Sequence, residues 1–389
     1  MGGWSDHRCS QGREHRFKEL CVISALVKTR WGQGERIHTR VAPRTSQHPH
    51  DWHPLGQARQ ICNPLRLMKA AVCERYGPPE VVQIHDVPTP DPAADEVLVR
   101  AIATTVNSGD ARMRALRVPR GLRLPMRLKL GITKPKQPIF GFDVAGHVDA
   151  VGCDVTNFQP GDLVIASRAF AFGCHAEFVC VAEGGAIAPI PPNISPESAV
   201  ATCFGGSTTL DFFKLAHFND GKSILVNGAS GAVGVMAVQL AKQRGSEVTA
   251  VCSGPNAQTV KGLGADHVID YTSEDWTQNS QRYDVIMDTY GNAPYKRVKG
   301  SLNPGGRVLM VAGDLAPMIA ASRQNAVITR TEKNSPTTDT NFRTLMALAA
   351  DGQLQPVIDT VLPFQQVAEA HRRVDTGHKV GSVVLTHQH

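Results

Sequence analysis

The sequence predicts an α/β protein in which a doubly wound parallel sheet is joined to a β-rich domain. Three observations predict it. Residues 68–190 carry many short apolar stretches bounded by Pro and Gly, the texture of strands. From about Pro196 strand-like and helix-like stretches alternate, which implies βαβ units and a parallel sheet. An apolar strand then runs into Gly228, Gly231 and Gly234 and on into a helix.

Each element follows in order. Met68–Cys73 opens as a short apolar strand, and Val97–Ala101 and Leu163–Ala166 read as strands. Asp91–Asp95 and Gln159–Asp162 are turn-rich. Ser223–Val226 is a buried strand, Gly231–Arg244 has helical period, Val248–Cys252 is the next strand, and Gln258–Leu263 is a short helix. His267–Ile269, Val285–Asp288 and Arg307–Val311 continue the strands, and Thr340–Gly352 and Val367–Val374 are helical. Val380–Leu385 returns to β texture, either pairing with the first domain or extending the parallel sheet.

Composition narrows the function classes. The 389 residues suit two or three domains, and 42% hydrophobic with 20% charged residues excludes a disordered polymer. Apolar runs such as Val233–Ala241 are half the length that spans a bilayer, so no membrane partner is expected. Nine scattered cysteines, an odd number without repeated CxxC, argue for a reducing compartment and a cytoplasmic location. The net charge of +6 resides entirely in residues 1–67, with 11 Lys and Arg against 5 Asp and Glu; the remainder balances 30 against 30. A neutral body argues against a nucleic-acid partner. Residues 1–67 also lack a sustained period, and read as a leader that is disordered or non-native, with Met68 as the true start.

The sharpest motif runs Asn227-Gly228-Ala229-Ser230-Gly231-Ala232-Val233-Gly234. One glycine makes the turn, one lets a pyrophosphate approach, and one packs helix on strand; the helix N-terminus supplies N–H groups to phosphate. These residues are the expected cofactor cradle. The next strand ends Val251-Cys252-Ser253 with no carboxylate for a ribose 2′-hydroxyl. Ser253 could donate to a 2′-phosphate, which favours NADPH over NADH. Tyr271 could close over the adenosine side.

Residues 68–385 resemble the medium-chain dehydrogenase/reductase superfamily, in its zinc-independent quinone oxidoreductase-like branch. The resemblance rests on Met68-Lys69-Ala70-Ala71-Val72 with Tyr76-Gly77-Pro78-Pro79-Glu80, on Val106-Asn107-Ser108-Gly109-Asp110, and on Gly141-Phe142-Asp143-Val144-Ala145-Gly146. Pro160-Gly161-Asp162, the glycine loop, and Leu263-Gly264-Ala265-Asp266 with Val268-Ile269-Asp270-Tyr271 complete it. It implies a GroES-like domain over 68–195 and a Rossmann domain over 196–339. Residues 340–389 become a helical return whose last strand rejoins the first domain, and a homodimer is implied.

The resemblance also implies site roles. In zinc-dependent members a Cys stands at the position of Asn107, a His-Glu pair at Phe142-Asp143, and a Cys near Phe204; one displaced Cys203 cannot supply a tetrahedral site, so no zinc is expected. Asn107 and Asp110 are then catalytic candidates at the cleft, with Asn107 bonding a carbonyl or the cofactor ribose and Asp110 alternatively holding Arg112 or Arg114. Thr208 resembles the threonine that contacts the nicotinamide. Tyr290 and Gly291 follow the fourth strand and Gly313 the fifth, where loops of a doubly wound sheet meet the ligand. Tyr290 could donate to a developing enolate. Lys379 resembles a phosphate contact.

The expected activity is NADPH-dependent, metal-free hydride transfer to a quinone or to the activated C=C of an enone or 2-alkenal. An enoyl-thioester reductase is an alternative, drawing on the acid-free basic stretch Arg112–Lys136. A non-catalytic protein that senses NADPH or binds RNA through the leader is another.

Overall fold

A computed structural model describes residues 66–117, 127–128, 130–312, 326–328 and 337–387. The leader up to residue 65 and Gly313 lie outside the described residues.

The first part is a β-structure. Strands β1 (Leu67–Cys73) and β2 (Val82–Pro88) form an antiparallel pair. Strands β3 (Glu96–Val106), β4 (Asp143–Val151), β5 (Leu163–Ser167), β6 (Phe178–Ala182) and β7 (Ala186–Pro189) follow, with helix α1 (Ser108–Ala115) after β3. Helix α2 (Pro196–Ala216) leads into the α/β block. Ser195 caps it by accepting the Ser198 N–H at 3.2 Å, and Pro196 takes the first turn, where no N–H is needed.

Six parallel strands form the second sheet: β8 (Ile224–Asn227), β9 (Val248–Cys252), β10 (His267–Asp270), β11 (Tyr283–Asp288), β12 (Leu302–Met310) and β13 (Val327–Ile328). Helices α3 (Ala232–Gln243), α4 (Ala257–Gly262) and α5 (Tyr295–Val298) connect them. The strand order is β10-β9-β8-β11-β12-β13. Every residue of β8 and β9 is buried, as a parallel sheet covered on both faces requires. The order reverses between β8 and β11, and the glycine loop lies at that switch point.

The chain then returns through α6 (Thr337–Ala350), β14 (Ile358–Pro363), α7 (Val367–Asp375) and β15 (Ser382–Thr386). β15 pairs antiparallel with β3, setting Val383 opposite Val106, and parallel with β14. The last strand therefore belongs to the first sheet, in the order β14-β15-β3-β4-β5-β7, with β6 also on β3.

Helix α2 joins the two sheets. One buried cluster includes Ala103, Ala145 and Ile165 from the first sheet, Val200 and Cys203 from α2, Val226 from the second sheet and Met236 from α3. Backbones approach closely along this seam. A Cβ on Gly205 would stand 2.0 Å from the Ala232 carbonyl oxygen. At Gly381 (φ +74°) a Cβ would stand 2.0 Å from the Val357 oxygen, while its N–H donates to the Ser230 oxygen at 2.8 Å.

α7 is locked to α1 by a buried charge. Arg114 is fully buried, donates to the Gly77 carbonyl at 2.9 Å and pairs with Asp375, which Arg117 also reaches at 3.1 Å. The partner of Arg114 is thus Asp375, where the sequence offered Asp110. Removing a buried partner strands the other charge, so Arg114→Ala should cost about 3 kcal/mol of unfolding free energy. Arg117→Ala, at an exposed guanidinium, should cost under about 1 kcal/mol. Urea unfolding midpoints check both; equal losses would contradict a buried ion pair at Arg114.

Candidate functional site

The glycine loop has the geometry its spacing demands. Gly228 turns at φ +81°, and its N–H and that of Ala229 both donate to the Val251 oxygen. A Cβ at Gly228 would stand 2.7 Å from Thr289 Oγ1, and one at Gly234 would stand 2.2 Å from the Gly228 oxygen. Both positions therefore require glycine. Gly231 is the N-cap of α3 and brings no side chain to its N–H groups, and a Cβ there would meet only the Gly228 oxygen at 3.4 Å. Helix N–H groups without a side-chain cap, in front of open space, fit a pyrophosphate. Ala229 is fully buried, Ala232 nearly so, and Val233 half-buried, so the backbone is what this loop presents.

Beside the loop is a polar corner. Asn256 donates to Ser230 Oγ at 3.1 Å and to Ser253 Oγ at 3.2 Å, tying the loop to the end of β9. A carboxylate does reach this corner, but from the neighbouring strand. Asp270 is opposite Cys252 in the β9–β10 register, and a Cβ on Gly254 would be 2.6 Å from its Oδ2. Hydrogen bonds from the Thr272 backbone and hydroxyl, at 2.9 and 2.7 Å, hold the Asp270 carboxyl below its ordinary range. Lys379 is buried and donates to the Gly381 oxygen at 2.5 Å; burial lowers its pKa to about 8. Its ammonium thus bonds the carbonyl of the same residue whose N–H reaches the glycine loop.

A cavity of about 290 Å³ opens next to this corner, lined by Gly228, Tyr271, Trp276, Tyr290 and Arg297 among others. Tyr271 and Tyr290 are 52% and 60% exposed. The structure therefore groups Tyr290 with Tyr271, on the side assigned to the adenosine. Its loop is organised by Asp288, which is fully buried. Asp288 accepts the N–H groups of Tyr290, Gly291 and Ala293 and the Asn227 amide, at 2.8–3.2 Å. Gly291 makes this turn at φ +97°.

Asn107 sits on the other side of the loop. It caps α1: its Oδ1 accepts the Gly109 N–H at 2.9 Å, and Asp110 returns the favour by accepting the Asn107 N–H at 2.9 Å. The second Asp110 oxygen accepts the Gly141 N–H at 3.0 Å. Asp110 is completely buried, and burial raises its pKa. Because Oδ1 is committed to Gly109, the Asn107 amide can face only one way. Its Nδ2 is buried and has no protein partner. Val106 opposes Val383 on β15, and Gly381 bonds Ser230, so Asn107 lies about one strand spacing, ~5 Å, from the strand that touches the glycine loop. Thr208, on α2, donates to the Phe204 oxygen at 2.9 Å.

At two of the positions compared with zinc ligands, Phe142 and Phe204, this chain places aromatic rings. Phe142 meets Phe204 at 5.6 Å, Phe172 at 4.8 Å and Phe170 at 5.7 Å, all edge-on. Asp143 is buried; burial, with the nearby Asp110 charge, pushes its pKa up to about 7, against a hydrogen bond from Ser167. Among the described residues no group of three or more His, Cys, Asp or Glu converges on a metal position. These residues do not fit a tetrahedral zinc. The described cysteines are all free. Cys73, Cys174, Cys180, Cys203 and Cys252 are buried, while Cys153 is exposed. Burial pushes Cys73, Cys180 and Cys252 up to about 11, and Cys174 and Cys203 higher.

Sequence reasoning missed Asn256, Asp270, Asp288 and the Phe170–Phe172 pair. The Asn-x-x-Asp spacing of a capping box was present at Asn107 and Asp110 and would have assigned the latter's partner. The basic stretch also shrinks as a ligand surface, since Arg114 and Arg117 are spent on Asp375.

Comparison with known proteins fits this geometry. Residues 93–192 match the alcohol dehydrogenase GroES-like domain, and residues 263–385 match the zinc-binding dehydrogenase family. A chloroplastic quinone-oxidoreductase homolog from Spinacia oleracea is 30% identical, over 82% of this chain and 98% of its own. A chloroplastic NADPH-dependent alkenal/one oxidoreductase from Arabidopsis thaliana is 30% identical, over 82% and 79%. The quinone oxidoreductase structure from Coxiella burnetii superposes with a TM-score of 0.73 at 26% identity, covering 82% of this chain and 99% of that one. With two sheets joined by α2, a phosphate-binding glycine loop and these relatives, the chain is an oxidoreductase that belongs to the medium-chain dehydrogenase/reductase superfamily, in its quinone oxidoreductase-like branch.

Proposed function

We propose that this protein is a zinc-independent, NADPH-dependent reductase that passes hydride to a quinone or to the activated C=C of an enone or 2-alkenal. The observation that carries the reading is the Asn107 amide: a buried donor without a protein partner, fixed in orientation by its cap, beside the strand that touches the glycine loop. A reaction that builds negative charge on a carbonyl oxygen needs such a donor. The relatives named above support the same chemistry.

The bound nicotinamide supplies the hydride. The chain's residues do the rest. The first turn of α3 and Gly228–Gly234 hold the pyrophosphate; Ser230, Ser253 and Asn256 meet the adenosine ribose and its phosphate; Tyr271, Tyr290 and Gly291 wall that side. Thr208 flanks the nicotinamide. Asn107 Nδ2 donates to the acceptor oxygen. Asp110 is a positioning residue, since both its oxygens are taken by backbone N–H groups that fix the Asn107 turn. Phe142 and Phe204 keep water from the reacting atoms. The two plant relatives named above are chloroplastic, so a cytoplasmic location draws no support from them.

NADPH oxidation with 1,4-naphthoquinone or an enone should proceed within about twofold of its rate in the presence of 1,10-phenanthroline, and Asn107→Ala should lower kcat about a hundredfold. Chelator-sensitive alcohol oxidation would overturn the reading. The Asp270 charge opposes a 2′-phosphate, so Asp270→Asn should lower the KM for NADPH several-fold while leaving that for NADH nearly unchanged, read from initial rates. Asp143 titrates near about 7 in the fold but near about 3.9 when unfolded. Its favourable contribution is complete below the unfolded value and is lost as pH rises through the folded one. Asp143→Asn should therefore match the wild type in urea stability near pH 4 and exceed it at pH 8.

A further inference from the structure

The turn between β5 and β6 carries backbone strain. Within residues 168–173, Ala169 sits at φ +45° and Phe172 at φ +55°, followed by Gly173 at φ +103°. Non-glycine residues rarely adopt such angles, and they persist only where surrounding contacts enforce them. Here both ends are pinned to one segment. Arg168 N–H donates to the Phe142 oxygen at 2.9 Å, and the Gly173 and His175 N–H groups donate to the Phe140 oxygen at 3.2 and 2.8 Å. What the strain produces is an exposed ring. Phe170 is 65% exposed, whereas the other described phenylalanines are buried or half-buried. It stands edge-on to Phe142 at 5.7 Å and to Phe172 at 6.4 Å.

The location links this ring to the reaction. Phe142 also touches Phe204, whose carbonyl holds the Thr208 hydroxyl, and a Cβ on Gly109, two residues from Asn107, would be 3.0 Å from the Phe142 ring. Phe170 therefore extends an aromatic wall from the Asn107–Thr208 site outward into solvent. Resting on the hydride-transfer reading above, we infer that the strained turn holds Phe170 as a platform for a flat, conjugated ring acceptor, so that the site favours ring quinones over open-chain alkenals. A flat conjugated ring can stack on Phe170, whereas a short open-chain alkenal has no ring to set against it. Aromatic stacking on a ring held in place carries no ordering cost on binding.

Binding and turnover test this separately. The probe is 1,4-naphthoquinone titrated calorimetrically into protein saturated with NADP+, which cannot reduce it. Phe170→Ala and Phe170→Leu should each weaken binding about five- to tenfold, and Phe170→Trp should restore it. Being exposed, Phe170 can be replaced without loss of the fold. In steady state with NADPH, Phe170→Ala should raise the KM for naphthoquinone by the same factor and change that for a short 2-alkenal less than twofold. Unchanged naphthoquinone affinity in Phe170→Ala, or equal losses for both acceptors, would overturn the platform while leaving hydride transfer intact. Naphthoquinone that binds through Phe170 yet is never reduced would overturn the proposed activity and leave the platform standing.

Discussion

One backbone hydrogen bond organises the molecule: the Gly381 N–H to the Ser230 oxygen. It ties the phosphate-binding loop of one sheet to the strand that closes the other. The bond can form only because Gly381 carries no Cβ, since any side chain there would collide with the Val357 carbonyl. Gly205 allows a matching approach between α2 and the start of α3. Packing at this density transmits position rather than absorbing it. Asn107, at the end of β3, is therefore held at a fixed separation from the glycine loop, although the two belong to different sheets.

Around that seam the two sides of the site are built by different means. The cofactor side is made of backbone, with hydroxyls and amides at its edge, and its loops are held by the buried carboxylate of Asp288. The side proposed for the acceptor is made of aromatic edges near the Asn107 amide. On the proposed reading the oxygen is polarised not by the charge of a metal but by a fixed amide dipole acting through preorganisation. The buried carboxyls of Asp110 and Asp143 lie beneath this floor, and Asp110 converts its charge into a fixed turn.

The sheet strands, the glycine loop and α3 were readable because each depends on local period and spacing. The fate of Val380–Leu385 was not readable from its own residues, because a strand's text does not say which sheet edge awaits it; the family resemblance assigned it to the first domain, and β15 does pair with β3. Asp270 escaped notice for a related reason. It comes near Gly254 only through the parallel register of β9 and β10, while the sequence test for a carboxylate looks only at the end of β9. Tyr290 was placed at the right loop, but the turn enforced by Asp288 sets which side it serves. The turn holding Phe170 gives no glycine signal until its last residue, since its unusual angles fall on Ala169 and Phe172.

The burial of the thiols acquires meaning from the acceptors. Quinones and alkenals are electrophiles that alkylate thiolates, and only the deprotonated, accessible form reacts. In this chain the thiols around the core are both shielded and held protonated well above neutral pH, Cys203 beneath the site among them. These five buried cysteines are thus poor targets for the acceptors proposed above. Of the described cysteines, Cys153 at the surface is left as the position where a wandering electrophile would leave its mark.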